Sequence, residues 1–394
     1  MDSFIARVYA AGGSKNIDPD IIDATVTEFK NGLKKGYKKN FKDVDVDSSD
    51  FGMLSNLENN AYQFATAKNY QEMRLLTDAL TNEAGELLSF TEFREVAEKQ
   101  FLKFNEDWLE SEYSTAISGS MNGARWADYT RSAKAMPYLR YSTVGDSLVR
   151  DSHDALDGTV KRIDDNFWEN YYPPNGWRCR CTTTQTGNSS ETPDGAIVYP
   201  EVQPLFRTNL AKQGLMFPKN HPYYNDVPKE VLRKSMAYLP PANTYRTIRV
   251  DGALIEEHAM VQSENKDSRD KNRAIAAALK KGGYKDVKLL PQINAKDKTA
   301  RLAHYGNYAE TETTKCPDAI INGKIVEFKT ATKRNMAKRV AEAAGKADVC
   351  VLRPSFNATN EYIERFSKGQ FKTNKNLQEL IIVRDKSIKV QKRN

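Results

Sequence analysis

The sequence predicts an α+β protein: a mostly helical N-terminal and central region, then a small α+β domain with an antiparallel sheet. Three observations carry that expectation. Apolar residues recur at helical spacing through the first 130 residues. Two turn signals, Asp251-Gly252 and Asn322-Gly323, each divide a strand-like run nearer the C-terminus. Between these regions lies an irregular stretch dotted with prolines and aromatics.

Taken in order, DPDIIDATVTEFKNGLKKGYKKNF offers Asp18 as an N-cap and Pro19 at the first helical position. Ile22, Val26, Phe29 and Leu33 then share a stripe. SFTEFREVAEKQFLKFNEDWLESEY repeats the pattern through Phe93, Ala97, Phe101, Phe104 and Trp108. Such stripes need packing partners and predict core rather than chemistry. From residue 134 the texture changes. YLRYSTVGD alternates like a strand, SLVRDSHDALDGTV returns to short helix or turn, and NFWENYYPPNGWRCRCTTTQTG follows. The breaker-rich run PEVQPLFRTNLAKQGLMFPKNHPYYNDVP is expected at the surface or wrapped around something. AYLPPANTYRT, residues 237–247, reads as a linker.

Beyond it the pattern is compact. RTIRVDGALIEEHAMV is a hairpin, and RDKNRAIAAALKKGGY a helix stopped by Gly282-Gly283. KDVKLLP is a strand and AIINGKIVEF a second hairpin. RNMAKRVAEAAGKADVCVL is helix then strand, NEYIERFSKG a helix, and LQELIIVRDKSIKVQKR a last strand pair around Asp385-Lys386.

Bulk properties narrow the function classes. A chain of 394 residues suits two or three domains. No segment approaches the ~18 uninterrupted apolar residues of a membrane span, so no membrane partner is expected. MDSFIARVYAAGG has too short an apolar run for a secretory signal, which makes the cytoplasm the default compartment. Four cysteines make no disulfide framework. The net charge is +7, and its placement is uneven. Residues 330–394 hold 15 Lys and Arg against 6 Asp and Glu, a net of +9, which leaves −2 for the rest. A basic tail of this kind suits nucleic acid or another polyanion, or is simply a solvated surface.

The segments ARWADYTR, VRDSHDALDG, FWENYYPPNGWRCRC and FPKNHPYY occur in that order. Together they resemble the phage Mu F-like minor head protein (head morphogenesis) family over residues 90–225. Its Arg-x-x-His, Leu-x-Gly, proline turn and closing Cys-Arg-Cys fall here on Arg150, His153, Leu156, Gly158, Pro173, Pro174, Cys179, Arg180 and Cys181. A Trp that often precedes the first motif is absent, with Tyr141 the nearest aromatic. The resemblance implies a virion protein in few copies, with portal and capsid proteins as partners. Read by themselves, His153, Cys179 and Cys181 are metal-capable, and His221 is a candidate fourth zinc ligand. The favoured reading is a compact core without metal, in which the imidazole bonds a backbone carbonyl.

The segments AAALKKGGYKDVKLLP, CPDAIINGKIVEFKT and KADVCVL follow in the last 150 residues. In that order they resemble the C-terminal tRNase domains of contact-dependent inhibition toxins, in the barnase/EndoU/colicin/RelE-like nuclease group. The resemblance implies helices on a small, mostly antiparallel sheet. It also implies tRNA or another nucleic acid as substrate in the host cytoplasm, and raises an immunity protein as a partner. The expected division is then a helical region at 1–90, the Mu F-like domain at 91–235, a linker at 236–248 and the nuclease-like domain at 249–394.

Two chemical routes are open. In a metal-independent RNase, Glu327 is the base, Lys329 the clamp on the phosphorane and His304, placed in a loop, the acid, with Thr330 adjacent. Alternation puts Glu327 and Lys329 on one strand face. In the other route, of the PD-(D/E)xK restriction type, Asp318 and Glu327 hold Mg²⁺ while Lys329 positions water. The first route, without a cofactor, is favoured; an inactive basic tail on packaged DNA is the further alternative. Lys333, Arg334, Lys338, Arg339 and Arg353 are the expected nucleic-acid contacts. His258 is expected on a strand surface, Cys316 and Cys350 as core fillers, and Tyr305 and Tyr308 as packing residues or base stackers.

Overall fold

The computed structural model describes residues 1–13, 16–384 and 387–393, with the side chain of Lys234 also left out. The turn expected at Asp385-Lys386 lies outside the described residues. The chain forms two units: Met1–Asn40 with Ser48–Ser235, and Phe41–Asp47 with Met236–Asn394. The fold class is α+β, helical first and sheet-rich at the C-terminus.

The first unit is built on helices α1 (Asp2–Ala10), α2 (Pro19–Tyr37), α3 (Ser49–Asp78), α4 (Phe90–Leu102) and α5 (Trp108–Ser132). Asp18 caps α2, accepting the N–H groups of Asp20 and Ile21, and Pro19 opens it. Ile22, Val26 and Phe29 are buried as their spacing requires. Ser89 and Glu92 form a capping box on α4. The stripe from Phe93 to Trp108 does not run along one α-helix. Residues Lys103–Asp107 form a π-turn between α4 and α5, which re-aims the stripe so that Phe104 is still buried.

Helices α2 and α5 approach closely because two glycines of α2 leave room. A β-carbon at Gly32 would lie 3.0 Å from Ala116 Cβ, and one at Gly36 would run into the carbonyl oxygen of Ile117. Backbone cannot step aside as a flexible side chain can. Gly36→Ala is therefore expected to destabilise this unit by about 1–3 kcal/mol. An unchanged thermal midpoint would overturn the close-approach account.

Glu72 of α3 is fully buried, and its two oxygens accept from the side-chain amides of Asn105 and Asn69. Burial is the largest influence on its pKa and pushes it up to about 7, although both amides and Lys68 pull the other way. The folded chain thus keeps a proton that the unfolded chain releases near 4.5. Its contribution to stability is full below that pH and lost as pH rises through about 7. Glu72→Gln should remove this slope, gaining on the wild type by up to about 3 kcal/mol above neutrality. Parallel stability–pH curves would refute the assignment.

A three-stranded antiparallel sheet follows, β1 (Tyr138–Ser142), β2 (Val160–Arg162) and β3 (Thr182–Thr186), in the order β2-β1-β3. Short helices α6 (Asp151–Asp154) and α7 (Phe167–Tyr171) sit between its strands in sequence. Leu139, Tyr141, Leu156, Trp168, Tyr172, Cys179 and Cys181 form its core. The breaker-rich run contains α8 (Leu210–Gln213) and lies wrapped on α3. Phe206, Leu210, Met216 and Phe217 are buried, and Asn60 of α3 accepts the N–H groups of Met216 and Phe217.

Residues 237–247 are not a free connector, contrary to expectation. They complete α9 (Lys229–Tyr238), form α10 (Pro241–Thr244) and enter the edge strand β4 (Tyr245–Val250), with Ala237 and Leu239 buried. The rest of the second unit runs β5 (Ala253–His258), α11 (Lys266–Lys281), β6 (Val287–Leu289), α12 (Lys298–Tyr305), α13 (Tyr308–Thr311), β7 (Ala319–Ile321), β8 (Lys324–Ala331), α14 (Met336–Ala344), β9 (Val349–Pro354), α15 (Asn360–Thr373), β10 (Glu379–Arg384) and β11 (Ser387–Lys392). These strands form one sheet in the order β11-β10-β9-β8-β7-β6-β5-β4. Four neighbouring pairs are antiparallel and three parallel. Each parallel pair has a helix crossing between its strands (α11, α14 or α15), the connection that parallel pairing demands. Asp251-Gly252 and Asn322-Gly323 all have positive φ, the two-residue type I′ geometry.

Phe41–Asp47 joins this sheet at its far edge. The Val46 N–H donates to the Arg249 carbonyl, Arg249 Nε donates to the Lys42 carbonyl, and the Arg246 guanidinium lies 4.2 Å from the Phe41 ring centroid.

Candidate active site

The site is assembled around β8. Its alternation puts Glu327, Lys329 and Ala331 on one face, where Cys350 of β9 stands beside Glu327. Glu327 is 0% exposed. Its Oε1 accepts from the ammonium of Lys329 and from that of Lys346 at 2.7 Å. Its Oε2 is buried with no hydrogen-bond partner among the described residues. A buried carboxylate oxygen left bare is costly unless something binds it.

The Asn322-Gly323 turn fixes the register that brings Asp318 to this place. With Ala319 opposite Val326, Asp318 stands just before β7 and level with Glu327. Asp318 Oδ2 accepts the Phe328 N–H at 2.8 Å and Oδ1 accepts from Asn272 Nδ2 at 3.1 Å. Burial, and then the charge of Glu327, push its carboxyl up to about 6. Two residues that sequence reasoning missed complete the group. Lys346 arrives from the turn after α14. Glu264, just before α11, has a carboxyl raised to about 7 by burial first and the charge of Asp318 second, and its Oε1 is also unpartnered. Neither stands at a spacing from the Asp318–Lys329 hairpin that could have marked it.

Other expected residues go elsewhere. His304 lies on α12, not in a loop. Its Nε2 donates to the Ala237 carbonyl at 3.0 Å, and its ring packs on His258 and Tyr245. Burial lowers its pKa. It is a buried core histidine, bonded through Nε2 and with Nδ1 unpartnered among the described residues. Its contacts are with Ala237, His258 and Tyr245 rather than with Glu327 or Lys329, so the structure does not place it as their acid. His258 is fully buried at the end of β5 rather than on a strand surface. Tyr305 is buried with its hydroxyl on the Pro291 carbonyl, and the Tyr308 hydroxyl donates to the Lys346 carbonyl; both pack. Cys350 fills the core and Cys316 is half-buried.

Thr330 turns to the opposite face from Glu327. With Arg339, Arg353, Lys266, Lys271, Asp267 and Asp270 it lines a groove of about 1000 Å³, in which Lys266 pairs with Asp270 and Lys271 with Asp267. Lys333, Arg334, Lys338 and Arg339 are exposed; Lys333 sits over the Tyr362 ring and Arg339 pairs with Glu342.

Asp318 and Glu327 are the two carboxylates a hard divalent cation would take here. Glu264 does not stand close enough to make them a three-carboxylate group, since among the described residues the group of three metal-capable donors in mutual reach is His153, Cys179 and Cys181. Glu327 Oε2 is free for one, Asp318 faces it, and Glu264 brings a further bare oxygen into reach of Asp318's charge. Lys329 and Lys346 act on Asp318, and Arg269 acts on Glu264.

In the first unit, His153, Cys179 and Cys181 are all buried and lie together, while His221 does not join them. The His221 ring packs on Phe64, Trp177 and Tyr223, its Nδ1 accepts the Tyr223 N–H, and burial lowers its pKa to about 4. His153 Nδ1 faces the two sulfurs rather than a backbone carbonyl.

Residues 60–184, from α3 into β3, match the family model for Phage Mu protein F like protein, so the chain carries a Phage Mu F-like domain. It is 47% identical over 60 residues to the Mu-like prophage FluMu F protein of Haemophilus influenzae, which is 15% of this chain and 14% of that protein. It is 38% identical over 69 residues to the Putative capsid assembly protein F of Escherichia phage Mu, 18% of this chain and 16% of the other. The chain thus aligns with only about a sixth of the length of these relatives. No solved structure matches it significantly.

Proposed function

We propose that this chain is a minor head protein of a phage particle, held near the portal with portal and capsid proteins as partners, and that its second unit is a metal-dependent nuclease. The head reading rests on the Mu F-like domain and on its similarity to a capsid assembly protein. The nuclease reading rests on one observation: Asp318 and Glu327 are gathered beside Lys329, with a buried Glu327 oxygen left bare.

Mg²⁺ bound by Glu327 Oε2 and the Asp318 carboxylate would polarise a phosphoryl oxygen and acidify a water. The side chains do the rest. Lys346 holds Glu327 Oε1, which keeps Oε2 turned to the ion. Asn272 and the Phe328 N–H fix the Asp318 carboxylate from behind. Lys329 orients the attacking water and offers positive charge as the phosphorane develops. Water adds to phosphorus as the ester oxygen leaves and takes up a proton, so one phosphodiester becomes a phosphomonoester and an alcohol. The groove, through Arg339 and Arg353, would carry the flanking strand. This arrangement favours the metal route over the metal-independent one, because His304 is engaged elsewhere.

The test is incubation of the full chain with total tRNA and with plasmid DNA, each with Mg²⁺ and with EDTA. Cleavage that stops in EDTA is expected, with tRNA the first substrate to examine. Cleavage persisting in EDTA would restore the metal-independent route, and no cleavage of either substrate would leave a basic tail on packaged DNA. If the nuclease acts on tRNA, its site of action is the host cytoplasm and an immunity protein is a natural partner. Mass spectrometry of purified particles, with a few copies per particle expected, tests the head reading separately.

A further inference from the structure

We infer that His153, Cys179 and Cys181 form a zinc site inside the Mu F-like domain. His153 Nδ1 stands 3.7 Å from Cys179 Sγ and 3.5 Å from Cys181 Sγ, and the three donor atoms all lie within 4.8 Å of one another. The two nitrogen–sulfur distances are close to those of a tetrahedral zinc, which holds sulfur at about 2.3 Å and nitrogen at about 2.0–2.1 Å.

The backbone converges on this arrangement. His153 is presented by α6, whose first turn follows Arg150. Arg178 adopts a left-handed backbone, with φ of 58°, and its N–H donates to Thr115 Oγ1. A non-glycine residue in that region is uncommon and is kept where surroundings fix it. From there the chain is extended, so Cys179 and Cys181 point to one side and Arg180 to the other, where it forms two bonds with Asp146. This alternation is why Cys-x-Cys serves here in place of the commoner Cys-x₂-Cys. The backbone amides of Asn175 and Cys181 are turned toward Cys179 Sγ, the support that a metal-bound thiolate takes from its outer shell. Tyr141 donates to Asn175 Oδ1, and Leu139, Leu156 and Trp168 close an apolar wall around the group.

The balance is simple. Each thiol loses one proton on binding, the imidazole binds as the neutral base through Nδ1, and two thiolates cancel the charge of Zn²⁺. Three protein ligands leave the fourth corner to a water molecule. The ion ties α6 to the approach to β3.

Zinc content of the purified full chain, measured by atomic emission, should be about one ion per chain. Cys179→Ser/Cys181→Ser should lose that ion, and so should His153→Ala. Because these variants can unfold, a second measurement uses the wild type alone: Co²⁺ exchanged into it should give thiolate charge-transfer absorption in the near ultraviolet, and a chelator should lower the first thermal transition. The proposal is overturned if the wild type holds no zinc and gives no cobalt–thiolate band, or if the double serine variant keeps its zinc.

Discussion

Lys329→Ala should leave the full chain folded and reduce its cleavage of nucleic acid by roughly 100- to 1000-fold. The fold survives because Glu327 keeps Lys346 as a partner at 2.7 Å. On the proposed nuclease reading the rate falls because β8 would hold Lys329 beside the place where phosphorane charge develops, where its ammonium would be bound more strongly by the transition state than by the substrate. As a merely structural partner of the buried Glu327 it would contribute to stability and nothing to rate. Asp318→Asn separates the two routes. It should abolish a Mg²⁺-dependent rate, and leave a metal-independent RNase much less affected. Wild-type cleavage by Lys329→Ala would sink the catalytic reading of this hairpin whichever route applied.

Lys68→Ala should lower the thermal midpoint of the first unit by roughly 6–20 °C, the equivalent of about 3–5 kcal/mol in a unit of this size. Lys68 and Glu112 form an ion pair between α3 and α5 with side chains 2% and 4% exposed. Burial, the largest influence, raises the Glu112 pKa even though Lys68 and the Tyr223 hydroxyl oppose it. Removing the lysine strands a carboxylate among Trp108, Tyr223 and His221. Replacing both partners by apolar residues, Lys68→Met with Glu112→Leu, should recover most of the loss, since the penalty lies in the unpaired charge rather than in the missing attraction. A shift under about 2 °C for Lys68→Ala would mean that the pair is worth no more than an exposed one.

What the sequence made legible was local. The Asp18 cap, the type I′ turns at Asp251-Gly252 and Asn322-Gly323, and the shared face of Glu327 and Lys329 each depend on residues a few positions apart. The register of one hairpin then carried Asp318 to Glu327. The rest depends on contacts that periodicity does not encode. Lys346 reaches Glu327 because β9 lies parallel to β8, which only the crossing by α14 makes so. Helices α12 and α13 are short and follow no long stripe, so His304 read as a loop residue. The π-turn at Lys103–Asp107 absorbs one step of an otherwise regular pattern, and is invisible in it. His153 and the two cysteines lie 26 and 28 residues apart, and their meeting is a property of the three-stranded sheet.

The chain enters its second unit twice, first for Phe41–Asp47 and again from Met236 onward. The earlier visit is fastened to β4 by the bonds to Arg249. A protease cutting once near residue 236 would therefore leave the severed tail still fastened along β4 to a segment belonging to the N-terminal half of the chain. Freeing it demands two more cuts, on either side of residues 41–47, or enough pulling force to peel that segment from the sheet edge. A unit moored in this way stays with the rest of its chain by default, and any escape has to be an event of cutting or traction rather than of simple dissociation.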